Sequence, residues 1–332
     1  MTALERLQSF LDRSGQMSQI EPLTPDASTR EYFRIIWNGS SAIACVYSDM
    51  FVPEEHSYLD VSGLFHAASL PVADIYTFDA PTGVIIHEDF GDTILRDVLL
   101  SAGQSERENY LAKAIRLIAR IQAATPLAYE RGSIASRLSF DFEKLRWELD
   151  FFTTHYFETL RKAPLDSADF AMLKTELDEV AHDLAGRARV LTHRDFHAAN
   201  LMLDQAGGLR IIDHQDARIG SPSYDLVSLL LDRVTELPAP EWLAAKRRSL
   251  LDDRENLGLE RLNEEDFSHE FRLQTIQRCL KAIGTFSFQS VNRGKTYFLQ
   301  YIDPMFGIVL RAAENLDRFP NLRRVVREQL EK

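Results

Sequence analysis

Residues 191–200 read LTHRDFHAAN and residues 210–216 read RIIDHQD. The first stretch holds a carboxylate, Asp195, and an amide, Asn200, with four residues between them, and the second places another carboxylate, Asp213, at the end of a short apolar run. Around them, the pieces VLTHRDF, NLMLD and LRIIDH are β-like, and the turn AGG separates the last two. We therefore expect two short strands to bring these three oxygen-bearing side chains together.

The size and charge of the chain limit what it can be. With 332 residues, of which 45% are hydrophobic, it can bury a large core and exceeds the usual size of one domain, so two lobes are expected. Fifty acidic against 38 basic residues give a formal net charge of −12. This excess of negative charge argues against nucleic acid as a partner and leaves cationic or metal-bound ligands open.

The cysteines and the chain start indicate a cytoplasmic protein. Cys45 and Cys279 lie far apart inside apolar runs, which is typical of buried free thiols in a reducing compartment. The start, MTALERLQSFLDRSG, has the pattern of an amphipathic helix and lacks the apolar core of a signal peptide. No apolar run approaches the length of a membrane span.

The first part of the chain, from about residue 19 to residue 92, has a β-rich pattern. Its strongest signal is a hairpin, REYFRIIW and SAIACVY, with Asn38 and Gly39 in the turn. A helix is expected from about Glu54 to Ser69, ended by Pro71, and two further strands follow, ADIYTF and GVIIHE. The pattern predicts five strands in this part of the chain, of which these segments are four, and one inserted helix.

Beyond residue 92 the pattern changes to long segments of helical period. Examples are SERENYLAKAIRLIARIQAA, FEKLRWELDFFTTHYFETL and SADFAMLKTELDEVAHDLAG. Only the three β-like pieces around the opening stretch interrupt this helical half.

A small β-lobe followed by a helical lobe that carries H-x-D-x-x-x-x-N and then IID resembles the two-lobed protein-kinase-like fold, an α+β architecture. We place the N-lobe at residues 1–91 and the C-lobe at residues 92–332. The motifs resemble the aminoglycoside phosphotransferase and choline kinase-like family. Within it, DASTREYFR, HEDFGD, HRDFHAANLM, DHQDARIGSPSYDL and QRCLKAIGTF are most similar to the bacterial anomeric kinases for N-acetylmuramate and N-acetylglucosamine.

The resemblance implies ATP and Mg²⁺ as cofactors, and the chemistry of phosphoryl transfer agrees with the residue types. Asp195 would orient the attacking hydroxyl and accept its proton. The amide oxygen of Asn200 and the carboxylate of Asp213 would hold Mg²⁺ beside the phosphates. His193 would hold the loop through hydrogen bonds, and Asp225 would either orient the loop or serve as a helix first-turn carboxylate.

The nucleotide is expected in the N-lobe. Asp89-Phe90-Gly91 spells DFG, but it precedes the catalytic loop by about a hundred residues, whereas the metal motif of kinases follows that loop. We interpret Glu88, Asp89 and Phe90 as the linker whose backbone meets the adenine edge, with a plain strand-ending turn as the alternative. In place of a glycine-rich loop, the backbone N–H groups of Ala27, Ser28 and Thr29 would bind phosphate oxygens.

The chain departs from kinases at the phosphate-anchoring lysine of the third strand. No Lys or Arg occurs between Arg34 and Arg96. The phosphates would then rely on Mg²⁺ and backbone donors, together with Arg30 or Arg34. A non-catalytic nucleotide-binding pseudokinase is therefore one alternative, although Asp195 and both metal ligands are present.

The acceptor is expected next to Asp195, with nucleotide and amino sugar as the small-molecule partners. The candidate acceptor-binding residues are Asp216, Asp232, Arg233, Arg278 and Lys281. Gln277, Lys281 and Gly284 share one helix face, which would suit the lactyl carboxylate of N-acetylmuramate, and a solvated helix face is the alternative. The predicted reaction is phosphorylation of C1 of N-acetylmuramate or N-acetylglucosamine in cell-wall recycling, and the competing hypothesis is an aminoglycoside or choline-type phosphotransferase.

Overall fold

The structure is a computed structural model, and it describes residues 1–16, 18–23 and 30–331. In chain order the strands are β1 (Glu21–Leu23), β2 (Glu31–Trp37), β3 (Ser40–Val46), β4 (Ile75–Asp79), β5 (Val84–Glu88), β6 (Val190–Thr192), β7 (Leu201–Leu203), β8 (Leu209–Ile211) and β9 (Arg218–Gly220). The helices are α1 (Ala3–Arg13), α2 (Ser57–Ala67), α3 (Leu95–Ser101), α4 (Gln104–Ala123), α5 (Thr125–Glu130), α6 (Ile134–Arg137), α7 (Phe142–Phe152), α8 (Ser167–Ala185), α9 (Tyr224–Leu231), α10 (Pro240–Asn256), α11 (Glu264–Asn292), α12 (Ile302–Leu316) and α13 (Pro320–Leu330). A π-helical segment, Thr153–Leu160, follows α7 directly.

The chain forms two compact units. Unit 1 comprises residues 1–103 and 198–216, and unit 2 comprises residues 104–197 and 217–332. The chain therefore leaves unit 2 within the catalytic-loop motif, after residue 197, and returns to it after residue 216. The sequence predicts a single division after residue 91, and the assignment of nucleotide and acceptor to separate lobes stays a prediction.

Unit 1 is built on an antiparallel five-stranded sheet in the order β1-β2-β3-β5-β4. The predicted hairpin is confirmed, because Trp37 pairs with Ser40 and the turn residues Asn38 and Gly39 have φ of 49° and 85°. Positive φ at both central positions matches the right-handed twist of the flanking strands, and Asn-Gly tolerates it best. The inserted helix, α2, is two to three residues shorter at each end than expected.

Helix α1 packs its apolar face on this sheet. Leu7 and Leu11 are fully buried in one cluster with Ile35, Val84 and Ile86 of the strands. Thr2 and Glu5 form a capping box that fixes the start of the helix. Each fully buried aliphatic side chain of this kind contributes roughly 1.5–3 kcal/mol as an upper estimate.

Unit 2 is mainly helical and is organised around α11, the longest helix. Leu273, Ile276, Leu280 and Ile283 of α11 are fully buried. At Gly284 an added Cβ would lie 2.7 Å from the Phe152 Cα, so only glycine allows this close approach of α11 to the end of α7. Gly284 is therefore a packing position.

The fold class expected from the sequence is confirmed: an antiparallel N-terminal sheet is followed by a large helical part. Cys45 and Cys279 are buried and form no disulfide, as expected. Among the described helices, none combines the length and apolar character that a bilayer crossing requires.

Candidate active site

The catalytic-loop motif begins where β6 ends. β6 pairs with β9, with Thr192 opposite Arg218, and His193 to Asp195 follow directly. The fully buried Asp225, in the first turn of α9, accepts hydrogen bonds from the His193 N–H at 2.7 Å and the Arg194 N–H at 3.0 Å. Arg194 has φ of +83°, an unfavourable conformation for a side-chain-bearing residue, so the Asp225 carboxylate holds the loop in a shape that it would not adopt alone.

Asp195 lies among cations of unit 2. Its Oδ1 is 3.1 Å from Arg278 Nη2 and 3.7 Å from Lys281 Nζ, and its Oδ2 is 3.8 Å from Arg194 Nε. Burial alone would raise the pKa of the Asp195 carboxyl, but the positive charges of Lys281, Arg278 and Arg194 outweigh burial and hold that pKa well below its usual range. Asp195 is therefore an ionised hydrogen-bond acceptor of low basicity.

The face of α11 that carries these cations is buried. Arg278 is 8% exposed and Gln277 is fully buried, and the Gln277 amide donates to the buried Glu148 carboxylate at 2.8 Å. Arg278 also donates to Ser228 at 2.8 Å, and burial followed by the charge of Arg278 lowers the pKa of Lys281. The alternative reading of this face as solvated is wrong, because its polar groups bond to other elements of unit 2.

His197 contacts Asp195 through its backbone N–H, which donates to the Asp195 carbonyl at 3.0 Å, and the sequence did not predict it as a candidate. Its Nδ1 is buried and has no hydrogen-bond partner among the described residues. Burial lowers the pKa of His197, while the charges of Asp232 and Asp195 oppose that shift. The only signal for it in the sequence was the second histidine of HRDFH, which stands outside the H-x-D-x-x-x-x-N pattern.

The acceptor candidates divide between the units. Asp232 and Arg233 form an ion pair at 3.6 Å just after α9, and the Arg233 guanidinium lies over the Phe298 ring. Both influence the pKa of His197, so they belong with Asp195, Arg278 and Lys281 in unit 2. Asp216 is half-buried and belongs to unit 1.

The predicted metal ligands meet in unit 1. β7 and β8 pair with Leu201 opposite Ile211, so the residues just outside this hairpin, Asn200 and Asp213, lie at its open end. The Asn200 Nδ2 is 3.5 Å from Asp213 Oδ2. Asp213 has φ of +60°, and its side chain is 40% exposed, so its carboxylate is held at a fixed place yet accessible to a ligand.

The side chains of Asn200 and Asp213 suit a hard divalent cation that needs only a few protein ligands. Within the described ranges no group of three His, Cys, Asp or Glu residues could enclose a metal ion. Mg²⁺ typically takes one or two protein oxygens and keeps water and phosphate as its other ligands. One amide and one carboxylate therefore fit Mg²⁺ that arrives with a nucleotide.

The segment Glu88–Phe90 is held by side chains of unit 1. Asp89 is bound by Arg34 Nε at 2.8 Å, by Ser41 Oγ at 2.6 Å and by the Gly91 N–H at 2.9 Å. Burial would raise the pKa of Asp89, but the Arg34 and Ser41 hydrogen bonds lower it overall.

Arg210 holds the two neighbours of Asp89. It pairs with Glu88 at 2.6 Å and lies over the Phe90 ring at 4.3 Å. β5 ends at Glu88, and Gly91 follows with φ of +83°. Both the adenine contact and the strand-ending alternative stay predictions. The predicted phosphate loop, Ala27, Ser28 and Thr29, lies outside the described residues.

The comparison with family models defines the class of protein. Residues 19–260 match the phosphotransferase enzyme family, and the chain belongs to that family. It is therefore an enzyme of the phosphotransferase class, a kinase.

More specific similarity comes from curated relatives. The N-acetylmuramate/N-acetylglucosamine kinase of Pseudomonas aeruginosa is 28% identical over 293 residues, which cover 87% of this chain and 82% of the relative. Relatives with the same name from Neisseria meningitidis and Caulobacter vibrioides are 28% and 29% identical, across 64% and 71% of this chain; those alignments span only 60% and 63% of the relatives' own lengths.

Solved structures share the fold. The choline kinase of Streptococcus pneumoniae superposes with a TM-score of 0.59 at 14% identity, covering 96% of this chain and all of that one. An ADP-bound aminoglycoside phosphotransferase superposes with a TM-score of 0.57 at 12% identity, covering 94% and 99% of the two chains. At these identities the likeness concerns the fold alone.

Proposed function

We propose that this phosphotransferase moves the γ-phosphate of ATP to the C1 hydroxyl of N-acetylmuramate or N-acetylglucosamine. The observation that carries the substrate class is the similarity to N-acetylmuramate/N-acetylglucosamine kinases, which extends over 87% of the chain in the Pseudomonas relative. An ADP complex of a structural neighbour supports a nucleotide donor. Such a reaction would take place in the cytoplasm, where ATP is available, and would return cell-wall sugars to metabolism.

On the donor side, we assign Mg²⁺ to Asn200 and Asp213. The Asn200 amide would turn its Oδ1 toward the cation, next to a carboxylate oxygen of Asp213. When bound, Mg²⁺ neutralises charge on the transferring phosphates. The remaining donor contacts would come from the backbone of Ala27 to Thr29 and, at the adenine, from the backbone of Glu88 to Phe90.

On the acceptor side, Asp195 orients the sugar hydroxyl. Its depressed pKa makes it a weak base, so it holds the hydroxyl proton by a charge-assisted hydrogen bond and takes it late in the reaction. The transition state of phosphoryl transfer is loose, so little proton transfer is needed early. The anomeric hydroxyl is more acidic than the other ring hydroxyls, which suits a carboxylate of low basicity.

Besides contacting Asp195, Arg278 and Lys281 are proposed to bind the acceptor. Two cations lie within 4 Å of the single Asp195 carboxylate, so positive charge remains in this largely buried place. An anionic group of the ligand would be attracted most strongly there, because buried charges are weakly screened. The lactyl carboxylate of N-acetylmuramate supplies such an anion. His197, with its unpartnered Nδ1, and the Asp232–Arg233 pair offer further hydrogen bonds to sugar hydroxyls.

The same charges weigh against the runner-up functions. Aminoglycosides and choline are cations, and a buried Arg278–Lys281 pair beside the base would repel them. A pseudokinase would not need Asp195, Asn200 and Asp213, all of which the chain retains.

The experiment is an ADP-release screen with Mg-ATP and four acceptors: N-acetylmuramate, N-acetylglucosamine, choline and an aminoglycoside. We expect turnover with the two amino sugars and none with the cationic acceptors. Lys281→Met should raise KM for N-acetylmuramate roughly 10-fold or more and leave KM for N-acetylglucosamine within about 3-fold, since only the first sugar carries a carboxylate. The matched control is Lys174→Met, at an exposed position on α8 of the same unit. Turnover confined to choline or the aminoglycoside would reject the proposal, and equal KM changes for both sugars would remove the carboxylate contact.

A further inference from the structure

The positive charges of unit 1 are few, and they differ in the groups that they contact. Every cation of this unit is an arginine, and no lysine occurs in residues 1–103 or 198–216. These arginines and their partners are Arg6 with the carbonyls of Tyr47 and Thr82, Arg13 with Asp79, Arg34 with Asp89 and Asp92, Arg96 with Asp97, and Arg210 with Glu88. Of the arginines that the structure describes in this unit, Arg30 is the one that contacts a proposed metal ligand, Asp213.

Arg30 stands immediately before β2, and its Nη2 lies 3.3 Å from Asp213 Oδ1. Its guanidinium lies 5.8 Å from the Tyr32 ring centroid and 5.7 Å from that of Tyr47, on β2 and just after β3. The side chain is 17% exposed. Two aromatic rings and one carboxylate therefore fix the plane and direction of the cation.

The strands explain why the cation is Arg30, directly before β2, and not a residue of β3. Tyr32 on β2 pairs directly with Cys45 on β3, and Cys45 is buried. β3 itself carries no basic residue. Arg30 stands two residues before Tyr32, and its side chain reaches Asp213, so it brings positive charge to a site to which β3 supplies none.

A cation in contact with Asp213 also lies near any ligand that binds the same metal ion as Asp213, such as the nucleotide phosphates. Asn200 and Asp213 would hold Mg²⁺, which would supply positive charge to the phosphates of the nucleotide. A guanidinium has five N–H donors in a planar fork, and Arg30 contacts Asp213 and also forms a side-chain hydrogen bond with Tyr47. Such a fork can keep its contact with Asp213 while it turns donors toward phosphate oxygens. Arg34, the other arginine of this hairpin, has its donors taken by Asp89 and Asp92.

We propose that Arg30 binds the β- and γ-phosphates of the nucleotide and so takes the part of the absent third-strand lysine. This inference rests on the proposed kinase function and adds a residue to its donor site. Arg30 would act in binding and in the transition state, because negative charge on the transferring group persists through the reaction.

The test is calorimetric binding of Mg-ATP, Mg-ADP and adenosine, without acceptor, to the full-length wild type and to Arg30→Met. We expect the Kd of Mg-ATP and Mg-ADP to rise roughly 10- to 100-fold and the Kd of adenosine to stay within about 2-fold. Arg30→Lys keeps the charge and should recover part of the loss for both nucleotides. Arg13→Met removes an exposed arginine paired with Asp79 in the same unit and should match the wild type throughout.

Two results would overturn the inference. One is an Arg30→Met enzyme that binds Mg-ATP and Mg-ADP as the wild type does. The other is an equal loss for adenosine and the phosphorylated nucleotides, which would give Arg30 a structural role only. If Arg30→Met does not fold, Arg30→Lys carries the same comparison, with a several-fold loss for Mg-ATP expected and none for adenosine. Because no acceptor is present, a wild type that binds Mg-ATP but phosphorylates no amino sugar would reject the proposed function and leave this inference standing.

Discussion

The Asp225 carboxylate is the contact that most directly couples the fold of unit 2 to the geometry of the catalytic loop. It accepts the N–H groups of His193 and Arg194, the two residues before Asp195. Asp225→Asn keeps the shape of the side chain but replaces one acceptor oxygen with an NH₂ group. One backbone N–H then faces a donor, in a place where Asp225 is fully buried.

The expected loss of stability follows from those contacts. A buried donor without an acceptor costs about 1–3 kcal/mol. The positive φ of Arg194 carries strain of roughly 1–3 kcal/mol, which the carboxylate now helps to offset. Because that strain is present with or without the carboxylate, the unsatisfied donor alone sets the expected loss at about 1–3 kcal/mol, or roughly 1–4 °C in Tm for a chain of this size.

The effect on turnover should be larger than the effect on binding. Asp195 directly follows Arg194, and a displacement of about 1 Å at a reacting group costs about 100-fold in rate. We expect kcat with N-acetylmuramate to fall about 100-fold while the Kd of Mg-ATP changes less than about 3-fold. The assays are ADP release, calorimetry and thermal unfolding. Asp303→Asn is the control, because Asp303 is also a first-turn carboxylate, on α12, and is exposed where Asp225 is buried.

The pH dependence gives an independent check on the same residue. Burial raises the pKa of Asp225 to about 6, against the opposing effect of His193 and the two N–H donors. Between about pH 4 and pH 6 the folded protein then binds this proton more tightly than the unfolded chain does, so this group favours folding as pH falls. A drop in kcat below about pH 6 would therefore reflect loss of an acceptor oxygen and not unfolding. If Asp225→Asn matches Asp303→Asn in both kcat and Tm, the positioning role is refuted.

Three further predictions concern the reacting groups. Asp195→Asn should abolish phosphoryl transfer and leave Mg-ATP affinity near normal, because it removes a proton acceptor and keeps the shape; a variant with most of its kcat would contradict the base assignment. Asp213→Ala should weaken Mg²⁺-dependent ATP binding in calorimetry, and an unchanged affinity would argue against it as a metal ligand. Because burial and Arg278 lower the pKa of Lys281, its charge should be lost at lower pH than that of an exposed lysine. KM for N-acetylmuramate should then rise on the alkaline side, and Lys281→Arg, which does not titrate there, should remove the rise; an identical alkaline profile in that variant would exclude Lys281 as its source.

The fold could be predicted because its signals are local. The Asn38-Gly39 turn between two alternating strands and the long helical periods require only neighbouring residues, and both appear as expected. The division of the chain into these two units was harder to predict from the sequence. The return of residues 198–216 to unit 1 depends on backbone bonds such as Leu203 N–H to the Thr93 carbonyl, which no local pattern encodes.

The site was predictable where spacing defines it and not where packing does. Asn200 and Asp213 flank a short hairpin, so their meeting followed from sequence. The burial of the Arg278 face depends on Glu148, which is 130 residues away in the chain, and this contact could not be foreseen. The proposed choice between Arg30 and Arg34 likewise needed the structure, because the two arginines are four residues apart in sequence and their partners distinguish them.

The position of the new phosphate tests the central claim most directly. The product of an incubation with ATP, Mg²⁺ and N-acetylmuramate or N-acetylglucosamine is examined by phosphorus NMR with proton coupling. We expect a sugar 1-phosphate, whose phosphorus signal is split by the anomeric proton. A signal coupled to the C6 methylene protons, or no sugar phosphate at all beside active turnover of an aminoglycoside or choline, would contradict the account.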